Sequence, residues 1–189
     1  MLELPSNLVC DSDNRDSMAD KENIEIRFFM TPASAKAMLS KFRKEKRKFL
    51  PYSFIDYYFK KAGAIAKIRK WRSKHGPAVQ LIFVKRKNGL KTEAIHPVAN
   101  LKKEFSNLKQ EGYRQDIKIQ KKKAWLITKS GKPIYAIEFV HSLGWTGEIE
   151  VPEKDKKRIK GHLQELKWYG ATDFSKKSLF ELYKERTRK

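Results

Sequence analysis

An α+β fold built around an antiparallel sheet is predicted by three features of this 189-residue sequence. Segments rich in β-branched and aromatic residues recur with two-residue alternation from Ile24 onward. Most of them follow one another through hairpin-like connections, which pair neighbouring strands antiparallel. Only three long segments carry helical spacing, so helices interrupt a sheet of eight or nine strands, and strands this numerous often close into a barrel that leaves no edge.

The first strand is "IEIRFFM", Ile24 to Met30. "TPASAKAMLSKFRKEKRKF" then starts a helix, with Thr31 as its cap and Pro32 in its first turn. "YSFIDYYF" is a strand of strong β-formers. "AIAKIRKW" and "AVQLIFVKRK" are two more, separated by a loop at "RSKHGP", and "LKTEAIHPV" is a short one. "NLKKEFSNLKQEG" is helical, with Leu101, Phe105 and Leu108 on one side and Gly112 as its stop. "YRQDIKIQ" and "KAWLITK" are strands, "KSGKP" turns the chain into "IYAIEFV", and "GEIEV" is the last clear strand. "EKDKKRIKGHLQELKWYG" is a helix with Ile159, Leu163 and Leu166 on its buried stripe and Gly170 as terminator. "SKKSLFELYKER" adds a final turn or two of helix.

Composition bounds the function. The chain is 40% hydrophobic and 12% aromatic, enough for a core, and carries 43 Lys+Arg against 22 Asp+Glu, a net charge of +21. Such an excess predicts a partner bearing phosphates or another polyanion. Residues 1–22 hold six acidic and two basic residues and read as a flexible acidic arm ahead of one folded domain, 23–189. Cys10 is the lone cysteine, and His75, His96, His141 and His162 show no paired spacing, so neither an internal disulfide nor a structural zinc is expected. No apolar run is long enough to span a bilayer and no secretion signal is evident, so a cytoplasmic protein without a membrane partner is expected.

The strands carry charge in phase. Glu25 and Arg27 share one face of the first strand while Ile24, Ile26 and Phe28 take the other. Glu148 and Glu150 alternate in the same way with Ile149 and Val151. Lys67 with Arg69, Lys85 with Lys87, and Lys121 with Lys123 repeat the pattern. Asp56 and Glu138 stand inside apolar strands, where an uncompensated carboxylate costs on the order of several kcal/mol, so each requires a cation, a metal or water. Two arrangements satisfy this pattern equally. In one, the sheet is open and its charged face is wet. In the other, the sheet closes, the charged face lines a tunnel, and the apolar face meets the helices outside. In a tunnel, Lys and Arg neutralise phosphate oxygens, and two or three carboxylates hold Mg2+ or Mn2+.

"NIEIR", "DYYF" (Asp56 to Phe59), "KIR" (Lys67 to Arg69), Lys85 at a strand end, Glu93, "KKKAW", "AIEFVHSLGWTGEIEV" and "KSLFELY" follow one another in this order. Together they resemble the CYTH, or triphosphate tunnel metalloenzyme, superfamily from about Asn23 to Tyr183, and the "LGWTGEIEV" block resembles its class IV adenylyl cyclase and thiamine triphosphatase branch. Asn23 stands where that pattern has a first Glu, Arg27 where it has Lys, Lys67 where it has Arg, Ile95 where a second acid is usual, Glu138 where it has Asp, and Leu179 where it has Tyr.

The resemblance implies a closed, antiparallel eight-stranded β-barrel with about three flanking helices. It implies Glu25, Glu148 and Glu150, with Glu138 in reserve, as ligands of Mg2+ or Mn2+. Arg27, Arg69, Lys85, Lys121 and Lys123 would hold the phosphates, assisted by Lys67, and Glu25, Arg27, Lys67 and Arg69 would form the catalytic set. The activity implied is conversion of ATP to cyclic AMP and pyrophosphate, or hydrolysis of a nucleoside or other triphosphate. The alternatives are a non-catalytic binder of nucleotide or RNA phosphates, favoured by Asn23 and by basic helices such as "KFRKEKRKF", and an RNA 5′-triphosphatase. Homodimerisation is left open.

Overall fold

Nine strands and four α-helices form in the computed structural model, which describes residues 23–73, 76–87, 90–129 and 132–187. The acidic segment 1–22, with Cys10, and parts of the "RSKHGP" and "KSGKP" turns lie outside the described residues. The strands are β1 (Asn23–Met30), β2 (Lys48–Lys61), β3 (Ala64–Ser73), β4 (Gly76–Lys87), β5 (Leu90–Pro97), β6 (Arg114–Lys129), β7 (Lys132–Val140), β8 (Gly144–Pro152) and β9 (Thr172–Ser175). The helices are α1 (Pro32–Lys44), α2 (Leu101–Gln110), α3 (Ile159–Trp168) and α4 (Leu179–Thr187), with a 3-10 turn over Glu153–Arg158 leading into α3.

The sheet runs β5-β4-β3-β2-β6-β7-β8-β1 and closes where β1 pairs antiparallel with β5, Asn23 opposite Lys91 and Ile24 opposite Leu90. Closure removes the free edges of β1 and β5 and decides against the open, wet sheet. The added strand β9 pairs with β1 at Arg27 and Phe29, beyond that short seam. No helix among the described residues is long and apolar enough to cross a membrane.

The apolar strand faces look outward, as the alternation requires. Phe28, Ile149 and Val151 pack with Ala35, Met38, Leu39 and Phe42 of α1 and Leu166 of α3. Leu108 of α2 covers Phe59, Ala66, Ile68 and Leu81. Leu179 and Phe180 of α4 pack instead on the inner side of the barrel, with Tyr58, Ile119 and Val140. Each fully buried large apolar side chain of this kind contributes about 1.5–3 kcal/mol. The helix boundaries follow their caps. Thr31 Oγ1 accepts from Ser34 N at 3.0 Å ahead of Pro32, and Asn100 Oδ1 accepts from Lys103 N at 3.0 Å. Gly112 and Gly170 end α2 and α3 with φ of 86° and 82°, a conformation that disfavours other residues.

Three elements differ from expectation. The first helix stops at Lys44; Lys46 turns with φ 55° and Lys48 already belongs to β2. Phe42 is the last core residue of α1, and the basic run after it offers the helix no apolar side to bury. "YRQDIKIQ" and "KAWLITK" form one 16-residue strand, β6, which crosses its lysines with a bulge instead of a break. The four-residue β9 has no alternating pattern of its own and forms by pairing with β1.

Candidate functional site

Directly paired residues present their side chains to the same face of a sheet, so the register shows which charges meet inside the barrel. Glu25 pairs with Glu150 and Arg27 with Glu148 across β1 and β8. Asp56 pairs with Arg69, and Tyr58 with Lys67, across β2 and β3. Val84 pairs with Glu93, and Arg86 with Lys91, across β4 and β5. These side chains, with Lys121 of β6, border one cavity of about 1170 Å³. Ser178 to Glu181, where α4 begins, border it as well.

The cavity is wired by ion pairs. Arg27 Nε donates to Glu25 Oε1 at 2.7 Å, its Nη2 pairs with Glu148, and its Nη1 lies 3.7 Å from Glu138 Oε2. Arg86 Nη2 donates to Glu25 Oε2 at 2.8 Å. Lys67 Nζ donates to Glu93 Oε1 at 2.8 Å. Arg69 grips Asp56 with two bonds of 2.8 Å and lies 3.9 Å above the Phe54 ring. Glu138, fully buried, takes Lys121 and the Tyr52 hydroxyl, the latter at 2.8 Å. The two carboxylates expected to need partners therefore have them: Asp56 in Arg69, and Glu138 in Lys121 and Tyr52.

Burial opposes charge on these groups, and their neighbours decide which way each shifts. Burial works against ionised Glu25, but Lys91, Arg27 and Arg86 outweigh it and hold that carboxyl well below the usual carboxylate range. Burial is likewise outweighed at Asp56 by Arg69, and at Glu93 by Lys67 and Lys91, so both carboxyls are lowered. Glu150 moves the other way: burial and the like charges of Glu148, Glu93 and Glu25 outweigh Lys91 and push it up. Lys121 is pushed down by burial, with Arg27 and Arg69 adding to the effect, against the pull of Glu138. Arg27 Nη1 and Arg86 Nε are buried donors with no hydrogen-bond partner among the described residues.

The structure brings Glu25, Arg27, Lys67, Arg69, Lys121, Glu148 and Glu150 together at this cavity, with Glu138 directly behind Lys121. Lys123 is a correction. The bulge between Lys121 and Lys123 adds a residue to β6, so Lys123 pairs with Phe139, leaves the face of Lys121 and is exposed. Lys85 pairs with Thr92, out of phase with Val84 and Arg86, and stands exposed at the cavity rim. Arg86 takes the interior position instead. Both faces of β4 are largely apolar, so hydrophobicity alone does not phase the strand; the buried Gln80, six residues before Arg86, carries that signal. Lys91 was also missed, although it lies two residues from Glu93 and so on the same face.

The glutamates supply the hard oxygens that Mg2+ or Mn2+ takes, but their arrangement does not fit a divalent ion. Among the described residues no group of three acidic, histidine or cysteine side chains is placed to hold a metal. Glu25, Glu148 and Glu138 each face a cation of the protein, and Glu150 Oε1 accepts from Asn23 Nδ2 at 3.0 Å and meets Lys91 at 3.0 Å.

No protein-family model matches the chain, and no curated protein matches it significantly by sequence. Solved structures share its fold. A protein from Pyrococcus horikoshii is 21% identical with a TM-score of 0.72, covering 86% of this chain and 98% of its own. A candidate adenylate cyclase from Vibrio parahaemolyticus is 13% identical with a TM-score of 0.61, covering 87% and 98%. A candidate adenylyl cyclase from Hippeastrum, described as having a dominant triphosphatase activity, is 15% identical with a TM-score of 0.54, covering 87% and 95%. The closed eight-stranded barrel expected from the CYTH resemblance is thus the fold of this chain, and proteins described as adenylyl cyclase or triphosphatase share it.

Proposed function

We propose that this protein binds the triphosphate group of a nucleotide, or of a related small triphosphate, inside the barrel and processes it there. One observation carries the reading: Arg27, Lys67, Arg69, Arg86, Lys91 and Lys121, from five different strands, converge on a single cavity. Such convergence suits a chain of phosphates, whose oxygens take charge-assisted bonds from several directions at once. The cavity carboxylates nearly balance these cations, so the ligand binds by exchange: phosphate oxygens replace carboxylates on the guanidinium and ammonium groups. Arg27 and Arg86 each keep one buried donor without a hydrogen bond among the described residues.

Processing takes one of two forms. In cyclisation, a ribose hydroxyl oxygen bonds to the α-phosphorus, the α–β anhydride breaks and pyrophosphate leaves. In hydrolysis, water bonds to the terminal phosphorus and orthophosphate leaves. Either way a cavity carboxylate takes the proton of the attacking group. The neighbours described as adenylyl cyclase and triphosphatase support this class of chemistry. The test is incubation with ATP, inorganic triphosphate, thiamine triphosphate and 5′-triphosphorylated RNA, with Mg2+, with Mn2+ and with EDTA, followed by separation of the products. We expect turnover of at least one substrate, lost in Arg27→Met and Arg69→Met. Failure of every triphosphate to bind overturns the reading.

A second reading, the 5′ end of an RNA as ligand, is favoured by where the charge lies. The cavity nearly cancels its own charge, so most of the +21 excess is carried outside it, where it can attract a nucleic-acid backbone. A steep salt dependence for triphosphorylated RNA, absent for inorganic triphosphate, selects this reading.

A further inference from the structure

Three carboxylates approach one point of the cavity, and a side chain of the protein already stands there. Lys91 Nζ lies 3.0 Å from Glu150 Oε1, 3.1 Å from Glu25 Oε2 and 3.9 Å from Glu93 Oε1. Barrel closure puts it there. Lys91 sits opposite Asn23 in the two-residue seam between β1 and β5 and opposite Arg86 on β4, so its backbone is fixed from both sides. Its side chain is only 9% exposed. Asn23 completes the arrangement by donating Nδ2 to the same Glu150 oxygen at 3.0 Å, turning an N–H toward it.

We propose that the Lys91 ammonium is the protein's own cation at this point, in the place a divalent ion held by Glu25 and Glu150 would need. A divalent ion bound to these oxygens would lie about 2.0–2.6 Å from each and therefore in close contact with the ammonium. Like charges at that separation, shielded from water, repel strongly. The wild-type cavity accordingly takes the phosphate chain of its ligand with no metal between Glu25 and Glu150. This second half rests on the triphosphate reading above; the occupancy of the cation point does not.

The test titrates Mn2+ into the protein alone, following the loss of the free-ion signal by electron paramagnetic resonance. Wild type should show no Mn2+ binding that Glu25→Gln or Glu150→Gln weakens. Lys91→Ala, and Lys91→Met as a second variant that preserves packing, should gain one saturable site. Its affinity should exceed that of wild type by about tenfold or more, a difference readily resolved, and adding Glu150→Gln should abolish it. Wild-type binding that depends on Glu25 or Glu150 overturns the proposal. So does the absence of a gained site in a Lys91 variant whose circular dichroism matches wild type. If neither variant folds, the wild-type arm decides alone. Calorimetry with inorganic triphosphate in EDTA tests the second half. Binding there supports it, and binding only when Mn2+ is added overturns it. Absence of binding under every condition removes the triphosphate reading and leaves the Mn2+ result standing.

Discussion

Arg69 donates from Nε and Nη2 to both oxygens of Asp56, each at 2.8 Å, forming a two-pronged pair around a carboxylate with no solvent exposure. Asp56 lies between Ile55 and Tyr57 on β2, flanked by the aromatic side chains that build the barrel wall. Breaking a buried pair from one side strands a charge, at about 3–5 kcal/mol. Arg69→Met should therefore destabilise the protein by about that amount in urea unfolding. The double variant Asp56→Leu, Arg69→Met should recover much of the loss, because no charge remains unpaired. A double variant no more stable than the single one would show that the pair is not the dominant interaction of Asp56.

The same pair sets a pH dependence. Arg69 holds the Asp56 carboxyl below its ordinary value despite burial. The unfolded chain then binds the proton first, near pH 3.9, so stability falls as pH drops. The contribution is fully present above about 3.9 and is lost as pH falls through the lower, folded value. Glu25 and Glu93 shift in the same direction and steepen this acid limb, whereas Glu150, pushed up, works against it. Melting temperatures measured from pH 7 down to pH 3 should show Asp56→Asn with a lower plateau and a shallower acid limb than wild type.

Gly147 has a packing role in the middle of β8. A Cβ built there would lie 2.2 Å from Phe28 Cζ and 2.8 Å from the Ala136 carbonyl oxygen. Phe28 is fully buried beneath α1 and has no room to swing away, and the carbonyl belongs to the neighbouring strand. Gly147→Ala should cost about 1–3 kcal/mol, read as a drop in melting temperature. Adding Phe28→Leu should restore part of it, the remainder belonging to the backbone contact.

Much of this architecture is legible in the sequence because alternation records which face of a strand is apolar. Ile24, Ile26 and Phe28 on β1, and Ile149 and Val151 on β8, phase their strands, and Glu25, Arg27, Glu148 and Glu150 follow. Closure is different in kind: whether β1 meets β5 depends on twist and register summed over the sheet, so strand number and alternation leave it level with an open sheet, and the family resemblance favours it. The interior cations are legible in proportion to the contrast between faces. Lys67 and Arg69 alternate with Ile68, which points into the core beneath α2, and are phased correctly. Arg86 and Lys91 border segments where both faces hold cations or apolar groups, so the inside is marked only by Gln80 on β4 and Glu93 on β5. The ion pairs themselves depend on rotamers and cross-strand register, which the period of a single strand does not encode.

The lysines of β6 give the sharpest contrast between a uniform two-residue period and the barrel as built. A regular strand would place Lys121 and Lys123 on the same face, both on the ligand. The bulge between them leaves Lys121 buried against Glu138 and Phe54 and turns Lys123 out. Lys121→Met should then destabilise the fold by leaving Glu138 without its ammonium, and should also weaken inorganic triphosphate binding by roughly tenfold, since a charge-assisted contact is worth about 1.5–3 kcal/mol. Lys123→Met should leave the melting temperature within a degree or so of wild type, as exposed substitutions do, and triphosphate affinity unchanged. Calorimetric titration of the two variants side by side decides the matter. Equal losses of affinity would mean that β6 runs without its bulge in solution and that both ammonium groups reach the phosphates.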